Sequence, residues 1–322
     1  MTSATATRAG RSAAQPDGAS PARGLGRGQA RGRGRAALRW LIVVGAVLVL
    51  WEGAKFLGGT PWRSPGALPG PNNPILWNPP LRWAFANDLN LPHVWNIALA
   101  FLDPWQRGAD RNVAQFLFDA ALYTWREAAL GFVCGALIGL VLATIFVHSR
   151  FLERAFVPYV VASQTVPIIA IAPMITYAFG GNVASVVIIA TYLTFFPVTI
   201  ALIRGLRSID PRALELTRSY AASPWDVYRK LRLPASLPYL FTALKIAATA
   251  SIVGAIIGEG PGGIANGLGR ILDTYNQYYI TGPEKLWAAI IACGLLGIAF
   301  YLVVRAVEIL VLRGRPGAAD GG

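Results

Sequence analysis

Long apolar runs separated by charged stretches dominate this 322-residue chain. An α-helix needs about 20 mostly apolar residues to cross the roughly 30 Å hydrocarbon layer of a membrane. The first run is marginal at its far end because of Glu52 and Lys55. The pattern therefore predicts an all-α integral membrane protein with about six transmembrane helices, at about 40–58, 128–147, 156–179, 183–203, 237–258 and 286–312.

The third run is interrupted by two prolines, Pro167 and Pro173. Proline removes a backbone donor, and irregular backbone at membrane depth persists only where protein or a watery cavity satisfies it. A simple kink in a packed helix is the alternative interpretation. Because Ser163, Gln164 and Thr165 directly precede the break, we predict that all five residues line a translocation pathway.

Composition and charge placement support a membrane protein. Only 14% of the residues are charged, against about 25% in soluble domains, and mean hydropathy is +0.47. The net charge of +13 could indicate nucleic acid binding, but 19 of the 29 Lys and Arg residues fall in alternate segments between the runs. The positive-inside rule then places both termini in the cytoplasm. The basic segments are 1–39, 148–154, 204–236 and 313–322.

Four parts of the chain differ in composition. Residues 1–38 include "RGLGRGQARGRGR" and predict a disordered, basic cytoplasmic tail. An RNA-binding tail is the alternative, but this one lacks aromatics and precedes a span, so no nucleic acid partner is expected. Residues 39–120 hold the first span and a long extracytoplasmic loop, in which "HVWNIALAFLDPW" predicts a short interfacial helix. Residues 121–313 form the core, and 314–322 form a cytoplasmic tail.

The residue types needed for covalent or metal chemistry are scarce. Cys134 and Cys293 lie far apart in apolar runs, which excludes a disulfide framework and favours buried, inert thiols. His93 and His148 lack metal-ligand spacing. No GxxxxGKS or GxxxxGKT sequence is present, and the Gly-rich "GEGPGGIANGLG" lacks the lysine. We therefore predict no catalytic residue, no metal site and no nucleotide site in this chain.

The stretch "LELTRSYAASPWDVYRKLRLP" is charged although it lies between two spans. Ser223 suits an N-cap, Pro224 suits the first helical position, and Asp226 occupies the acidic position of a capping box. These signals predict a short helix at about 224–232 that ends before Pro234.

A second short helix is predicted upstream, from Arg212 to Ala221, so that two helices meet in an elbow. Trp225, Tyr228 and Leu231 share one face of the downstream helix by their spacing of three. A solvated loop would explain the charge but not this aromatic face. Exposed apolar faces mark interfaces, so the elbow is predicted to dock into another protein.

The elbow resembles the cytoplasmic EAA loop of ABC importer permeases, which reads Glu-Ala-Ala, three residues, Gly, nine residues, Ile-x-Leu-Pro. Aligned on 233–234, the glutamate falls on Glu215, the glycine on Ala221 and the isoleucine on Leu231. Leu and Thr replace the two alanines. Alanine in place of glycine is a mild change unless the backbone there needs a positive φ.

The resemblance extends over about 120–313. The segments "TWREAALGFVCGALIGLVLA", "VPIIAIAPMITYAFG", "LTFFPVTIALIRGL", "GLG" and "VEILVLR" are similar to the nitrate/sulfonate/taurine branch of these permeases. The segment "GLGRILDTYNQYYITGPEKLWAA" is similar to permeases for pyrimidine-type thiamine precursors. The solute itself stays open at this point.

The resemblance implies a type I importer fold in the bacterial plasma membrane. Two permease subunits, expected to be a homodimer, would form the pathway within the lipid, and an extracytoplasmic solute-binding protein would deliver the solute. Separate ATPase subunits would carry ATP and Mg, so that this chain holds no cofactor. The residues expected to couple to the ATPase are Glu215, Ala221, Ser223, Pro224, Trp225, Asp226, Tyr228, Leu231 and Pro234.

Few other charges fall in the spans. Glu259, at the outer end of the fifth run, is interpreted as an outer gate or binding-protein contact, or else as a carboxylate facing water. Lys245 is expected to reach the cytoplasmic interface, and Arg305 to pair with Glu308. The alternative function, an ATP-independent secondary transporter or channel, would need more ionisable groups in mid-membrane. A membrane enzyme would need a catalytic constellation, and none is evident.

Overall fold

The computed structural model describes residues 25–63, 74–106, 108–260, 264 and 266–313, with the backbone alone for 25–37. Contacts divide the chain into two units, 1–54 and 55–322. The first unit holds most of α1 (Leu25–Leu57), which begins inside the stretch for which disorder is predicted. The rest of that tail and the predicted C-terminal tail lie outside the described residues.

The second unit consists almost entirely of helices. Its elements in chain order are β1 (Trp62–Arg63), β2 (Ile75–Trp77), α2 (Val94–Ala100), α3 (Val113–His148), α4 (Arg150–Ser163), α5 (Ile168–Phe179), α6 (Val183–Arg207), α7 (Pro211–Ser219), α8 (Pro224–Val227), α9 (Leu233–Glu259), α10 (Leu268–Gln277) and α11 (Pro283–Leu312). The two short strands pair antiparallel. Over the described residues, five helices are long and apolar enough to cross a membrane. The pair α4–α5 is bent by 95°, as in a broken span or a re-entrant loop, and counting it as one span gives six, the predicted number.

Side-chain caps define where several helices begin. Asn112, Ser149 and Asn182 accept hydrogen bonds from backbone N–H groups in the first turns of α3, α4 and α6. Such caps satisfy donors that have no partner within the helix. The short helix predicted in "HVWNIALAFLDPW" is confirmed as α2.

The core is built where α3, α6 and α9 pack against one another. Gly131, Gly135 and Gly139 lie four residues apart on α3 and face α6. A Cβ placed on Gly135 would lie 2.5 Å from the Thr194 Cβ, and one on Gly254 of α9 would lie 2.7 Å from the Ala190 Cα. Small residues allow the helix backbones this close approach.

The charged end of the first apolar run is accommodated by pairing. Lys55 is fully buried. Its ammonium donates to the Asp88 carboxylate and, at 2.7 Å, to the Leu91 backbone carbonyl. A buried cation needs such partners. The loop after α1 therefore supplies the hydrogen-bond acceptors that the apolar run itself lacks.

Two expectations about side chains are wrong. Cys134 is exposed on α3 rather than buried, and Cys293 is half-buried. Glu308 pairs with Lys245, at 3.0 Å, instead of with Arg305 on its own helix. Because α9 packs on α11, the lysine reaches a carboxylate across the helix interface.

Candidate functional site

The elbow between α6 and α9 consists of α7, α8 and a π-helical turn, Tyr228–Arg232, that leads into α9. The helix predicted at 224–232 therefore does not end before Pro234, because it continues through that turn into the span. Pro234 lies in the first turn of α9, where its missing N–H costs little.

The predicted cap of α8 is confirmed. The Ser223 Oγ accepts from the Asp226 N–H at 3.1 Å and donates to the Asp226 Oδ2 at 2.6 Å. The Asp226 Oδ1 also pairs with the Lys230 Nζ at 2.6 Å. Pro224 occupies the first turn. Three exposed polar side chains thus fix the start of α8 with good geometry.

The bend between α7 and α8 passes through Ala221, which has a φ of +50°. It is the one non-glycine residue with positive φ in the part of the chain that the structure describes. The next N–H, of Ala222, donates to the Thr217 carbonyl at 3.1 Å. A left-handed residue after a helix end favours glycine, which explains the glycine of the EAA pattern and means that alanine here is strained.

Replacing Ala221 by glycine is therefore expected to stabilise the protein. Left-handed backbone costs a residue with a Cβ about 1–2 kcal/mol, and glycine loses roughly half of that gain through its freer unfolded chain. A thermal melt of the purified protein in detergent should rise by about 2 °C. Ala222→Gly is the matched control and should lower the melt, since Ala222 has no positive φ to relieve.

The aromatic face of the elbow has one buried residue and one exposed residue. Tyr228 is buried, contrary to the expectation that it is exposed. Its hydroxyl forms a 2.8 Å hydrogen bond with the Thr144 Oγ1, and its ring lies 5.2 Å from that of His148. Trp225 stacks on Tyr228, yet 65% of its surface is exposed. Tyr228 therefore anchors the elbow to α3 and leaves Trp225 available.

Two further apolar side chains of the elbow are exposed. The spacing of three that joins Trp225, Tyr228 and Leu231 did not predict them. Leu216 and Tyr220 are 58% and 78% exposed. Their spacing of four residues is a helical signal that could have identified them. We refer to Leu216, Tyr220 and Trp225 as the exposed elbow residues. Glu215 is exposed and Leu231 is half-buried.

The predicted break in the third run is confirmed, with an angle of 95° between α4 and α5. Ser163 and Thr165 donate their hydroxyl protons to backbone carbonyls three residues earlier, at 2.8 and 2.7 Å. The Gln164 Nε2 is buried, with no hydrogen-bond partner among the described residues. Pro167 caps α5, whereas Pro173 lies inside it without breaking it. That these residues line a pathway stays a prediction.

Glu259 is fully buried and does not face water. Its Oε2 accepts a 2.7 Å hydrogen bond from the Gly269 N–H. Alongside, the Leu268 N–H donates to the Thr124 Oγ1 at 2.9 Å. The first turn of α10 is thus held by one side chain from α9 and one from α3.

Glu127 on α3 is a second buried carboxylate, which the sequence reasoning missed. It is 2% exposed, and neither carboxyl oxygen has a hydrogen bond of good geometry among the described residues. An acid just before an apolar run is the signal that could have drawn attention to it. A buried acid without a hydrogen-bond partner is costly, so Glu127 is an energetically unfavourable group within the helical core.

Comparison with protein families identifies a match over most of the helical core. The family described as "Binding-protein-dependent transport system inner membrane component" matches residues 135–312. That range is more than half of the chain.

Curated relatives carry related descriptions. A probable ABC transporter permease of Haemophilus influenzae is 35% identical over 49% of this chain and 64% of its own length. A formylaminopyrimidine transport permease of Halalkalibacterium halodurans is 33% identical over 58% and 74%. A putative aliphatic sulfonates transport permease of Bacillus subtilis is 28% identical over 59% and 67%. The first alignment spans slightly less than two thirds of the relative.

Among solved structures, an amino acid ABC transporter chain superposes with a TM-score of 0.50 at 17% identity. The match covers 61% of this chain and 94% of that one. At this identity the likeness concerns the fold.

Proposed function

The chain belongs to the family of binding-protein-dependent transport system inner membrane components, and we propose that it is the permease subunit of an ATP-driven importer. Its fold is that of type I ABC importer permeases. In this proposal two copies form the solute pathway, and both termini of each copy lie in the cytoplasm. Separate ATPase subunits bind ATP and Mg, and an extracytoplasmic binding protein delivers the solute.

The observation that carries the proposal is the construction of the elbow. The exposed elbow residues, Leu216, Tyr220 and Trp225, lie on or directly after two short capped helices. Tyr228 fixes those helices to α3. Exposed apolar surfaces mark interfaces, and because the elbow is fixed to α3, a partner bound to it can transmit force into a span. The π-helical turn joins α8 directly to α9, so motion of the ATPase would be passed to the spans and drive alternating access.

Replacing Tyr220 and Trp225 together by alanine is expected to lower co-purification of the cognate ATPase subunit about tenfold or more. Two aromatic residues that fill pockets of a partner each contribute about 1–2 kcal/mol or more to binding. Both side chains are mostly exposed, so the melting temperature of the permease itself should fall only slightly, through the lost stacking of Trp225 on Tyr228. The measurement is a pull-down of the ATPase by tagged permease, with solute uptake measured in cells.

Phe118→Ala is the matched control, because Phe118 is also an exposed aromatic residue, 63% accessible. It lies 30 residues before His148 on α3, about 45 Å from the elbow at the helical rise. Unchanged ATPase binding and uptake in the double variant would contradict the proposal. The alternative, an ATP-independent transporter or channel, predicts uptake that persists when the ATPase subunit is deleted.

The solute is proposed to be small and organic. The relatives include permeases named for formylaminopyrimidine and for aliphatic sulfonates, which gives two solute classes to test, with nitrate as the inorganic candidate. The binding protein would set the choice between them. Thermal shift of the cognate binding protein with a pyrimidine, an alkylsulfonate, taurine and nitrate would separate these classes directly.

A further inference from the structure

The end of the molecule that carries the elbow contains a cavity of about 810 Å³. The start of α4, the end of α6, α7 and the π-helical turn line it, and it is open on one side. Its charged lining residues are Arg150, Arg154, Arg207, Arg232 and Glu153. Four guanidinium groups against one carboxylate make the cavity strongly positive, and a concave positive site attracts an anion.

One of the four arginines is already neutralised. The Arg207 guanidinium forms two hydrogen bonds with the Glu153 carboxylate, at 2.6 and 2.5 Å. Arg150, Arg154 and Arg232 make no ion pair in the described part of the chain. Three unpaired like charges around one cavity repel each other, and a bound anion would offset that repulsion.

The rest of the lining is apolar. Val147, Val157 and Leu206 contribute to the wall, together with Pro158, Ile209 and Leu214. Arg150 begins α4, and Arg207 ends α6, which is apolar enough to cross the membrane. Arginines at the ends of spanning helices lie at headgroup level. The cavity therefore offers positive charge and apolar surface together at the height where headgroup meets acyl chain.

We propose that this cavity binds the phosphate of an anionic phospholipid headgroup, with Arg150, Arg154 and Arg232 as its partners. Guanidinium groups match phosphate oxygens in a bidentate arrangement, and the apolar wall would contact the start of an acyl chain. A soluble phosphate would make no use of that wall. Basic pockets between spanning helices are suited to lipids of this class.

The bound lipid would also brace the elbow. A second cavity of about 370 Å³ shares Val147, Leu214 and Arg232 with the first and is lined by Thr217 and Pro224 of the elbow. Arg232, which belongs to the π-helical turn, therefore lines both cavities. A headgroup held by this arginine would restrain the turn that joins α8 to α9, so the lipid would stabilise the folded protein.

The experiment compares thermal melts of the purified full chain in a neutral detergent with three additives. Dioleoyl phosphatidylglycerol should raise the melting temperature in a saturable way, and the lipid concentration that gives half of the full rise is called the midpoint. Dioleoyl phosphatidylcholine and inorganic phosphate should not raise the melting temperature. Replacing both Arg150 and Arg154 by glutamine should raise the midpoint lipid concentration about 30-fold, from about five- to sixfold per arginine. Glu153→Gln should lower the midpoint, because it removes the negative charge and frees Arg207.

Arg212→Gln with Arg229→Gln is the matched control, since it makes the same charge change on the elbow outside both cavities. Its midpoint should stay within about twofold, because exposed charges away from the site are screened by salt. An equal response to phosphatidylcholine, an equal response to inorganic phosphate, or an equal loss in the control would each overturn the proposal. If the Arg150/Arg154 variant does not fold, Arg154→Gln and Glu153→Gln must still move the midpoint in opposite directions.

Discussion

Replacing Gly267 by alanine is expected to destabilise the folded protein strongly. Gly267 has a φ of +109° and precedes α10. A Cβ there would lie 2.5 and 2.6 Å from the two carboxylate oxygens of Glu259. That carboxylate cannot move away freely, because it is fully buried and holds the Gly269 N–H at 2.7 Å.

The two effects of this substitution add. A strained φ costs about 1–3 kcal/mol, and leaving a buried hydrogen-bonding group without its partner costs about 1–3 kcal/mol more. Together they remove a large fraction of a typical stability of about 5–15 kcal/mol. We expect the melting temperature in detergent to fall by about 10 °C and uptake to fall with the amount of folded protein.

Gly282→Ala is the matched control for this prediction. Gly282 also precedes a helix, α11, but its φ is −166° and nothing lies within 4 Å of a Cβ placed there. Its substitution should change the melt little. Equal melts for the two variants would mean that the packing of Gly267 against Glu259 does not hold the end of α9 that carries Glu259.

The elbow shows how far sequence patterns reach. Caps are local, so Ser223 and Asp226 were predictable from their spacing alone. A spacing of three places Trp225 and Tyr228 on one face, but no local rule says which of them meets α3. That choice is made by Thr144 and His148, which lie far away along the chain. The sequence predicts strain at Ala221 only if its φ is positive, and the backbone there has a φ of +50°.

The buried acids mark the other limit of sequence reasoning. A carboxylate near the end of a span is expected to face water, because removing its charge from water costs several kcal/mol. Glu259 is buried instead, because α10 folds back over it with two glycine residues, Gly267 and Gly269. Glu127 on α3 is buried as well, at 2% exposure. Hydropathy gives the number of spans, but it contains no information about which residues of separate spans meet.

Replacing Gly135 by leucine is expected to prevent the core from assembling. A Cβ at Gly135 would lie 2.5 Å from the Thr194 Cβ and 2.8 Å from the Thr191 carbonyl oxygen, which belongs to the α6 backbone. A leucine adds three carbons beyond that Cβ, so α3 and α6 would have to separate. Overpacking costs about 1–3 kcal/mol where side chains can adjust, and more is expected here because the obstacle is backbone.

The close packing of α3 on α6 predicts a difference between two glycine-to-leucine variants that membrane insertion alone does not predict. Gly135→Leu raises the hydropathy of a span, so an account based on insertion predicts no harm. Gly294→Leu makes the same chemical change on α11, where nothing lies within 4 Å of a Cβ. Size-exclusion profiles and thermal melts in detergent should show loss of the monodisperse, cooperatively melting species for Gly135→Leu alone. Retention of that species in both variants would contradict the close packing of α3 on α6, on which the elbow and the buried carboxylates both depend.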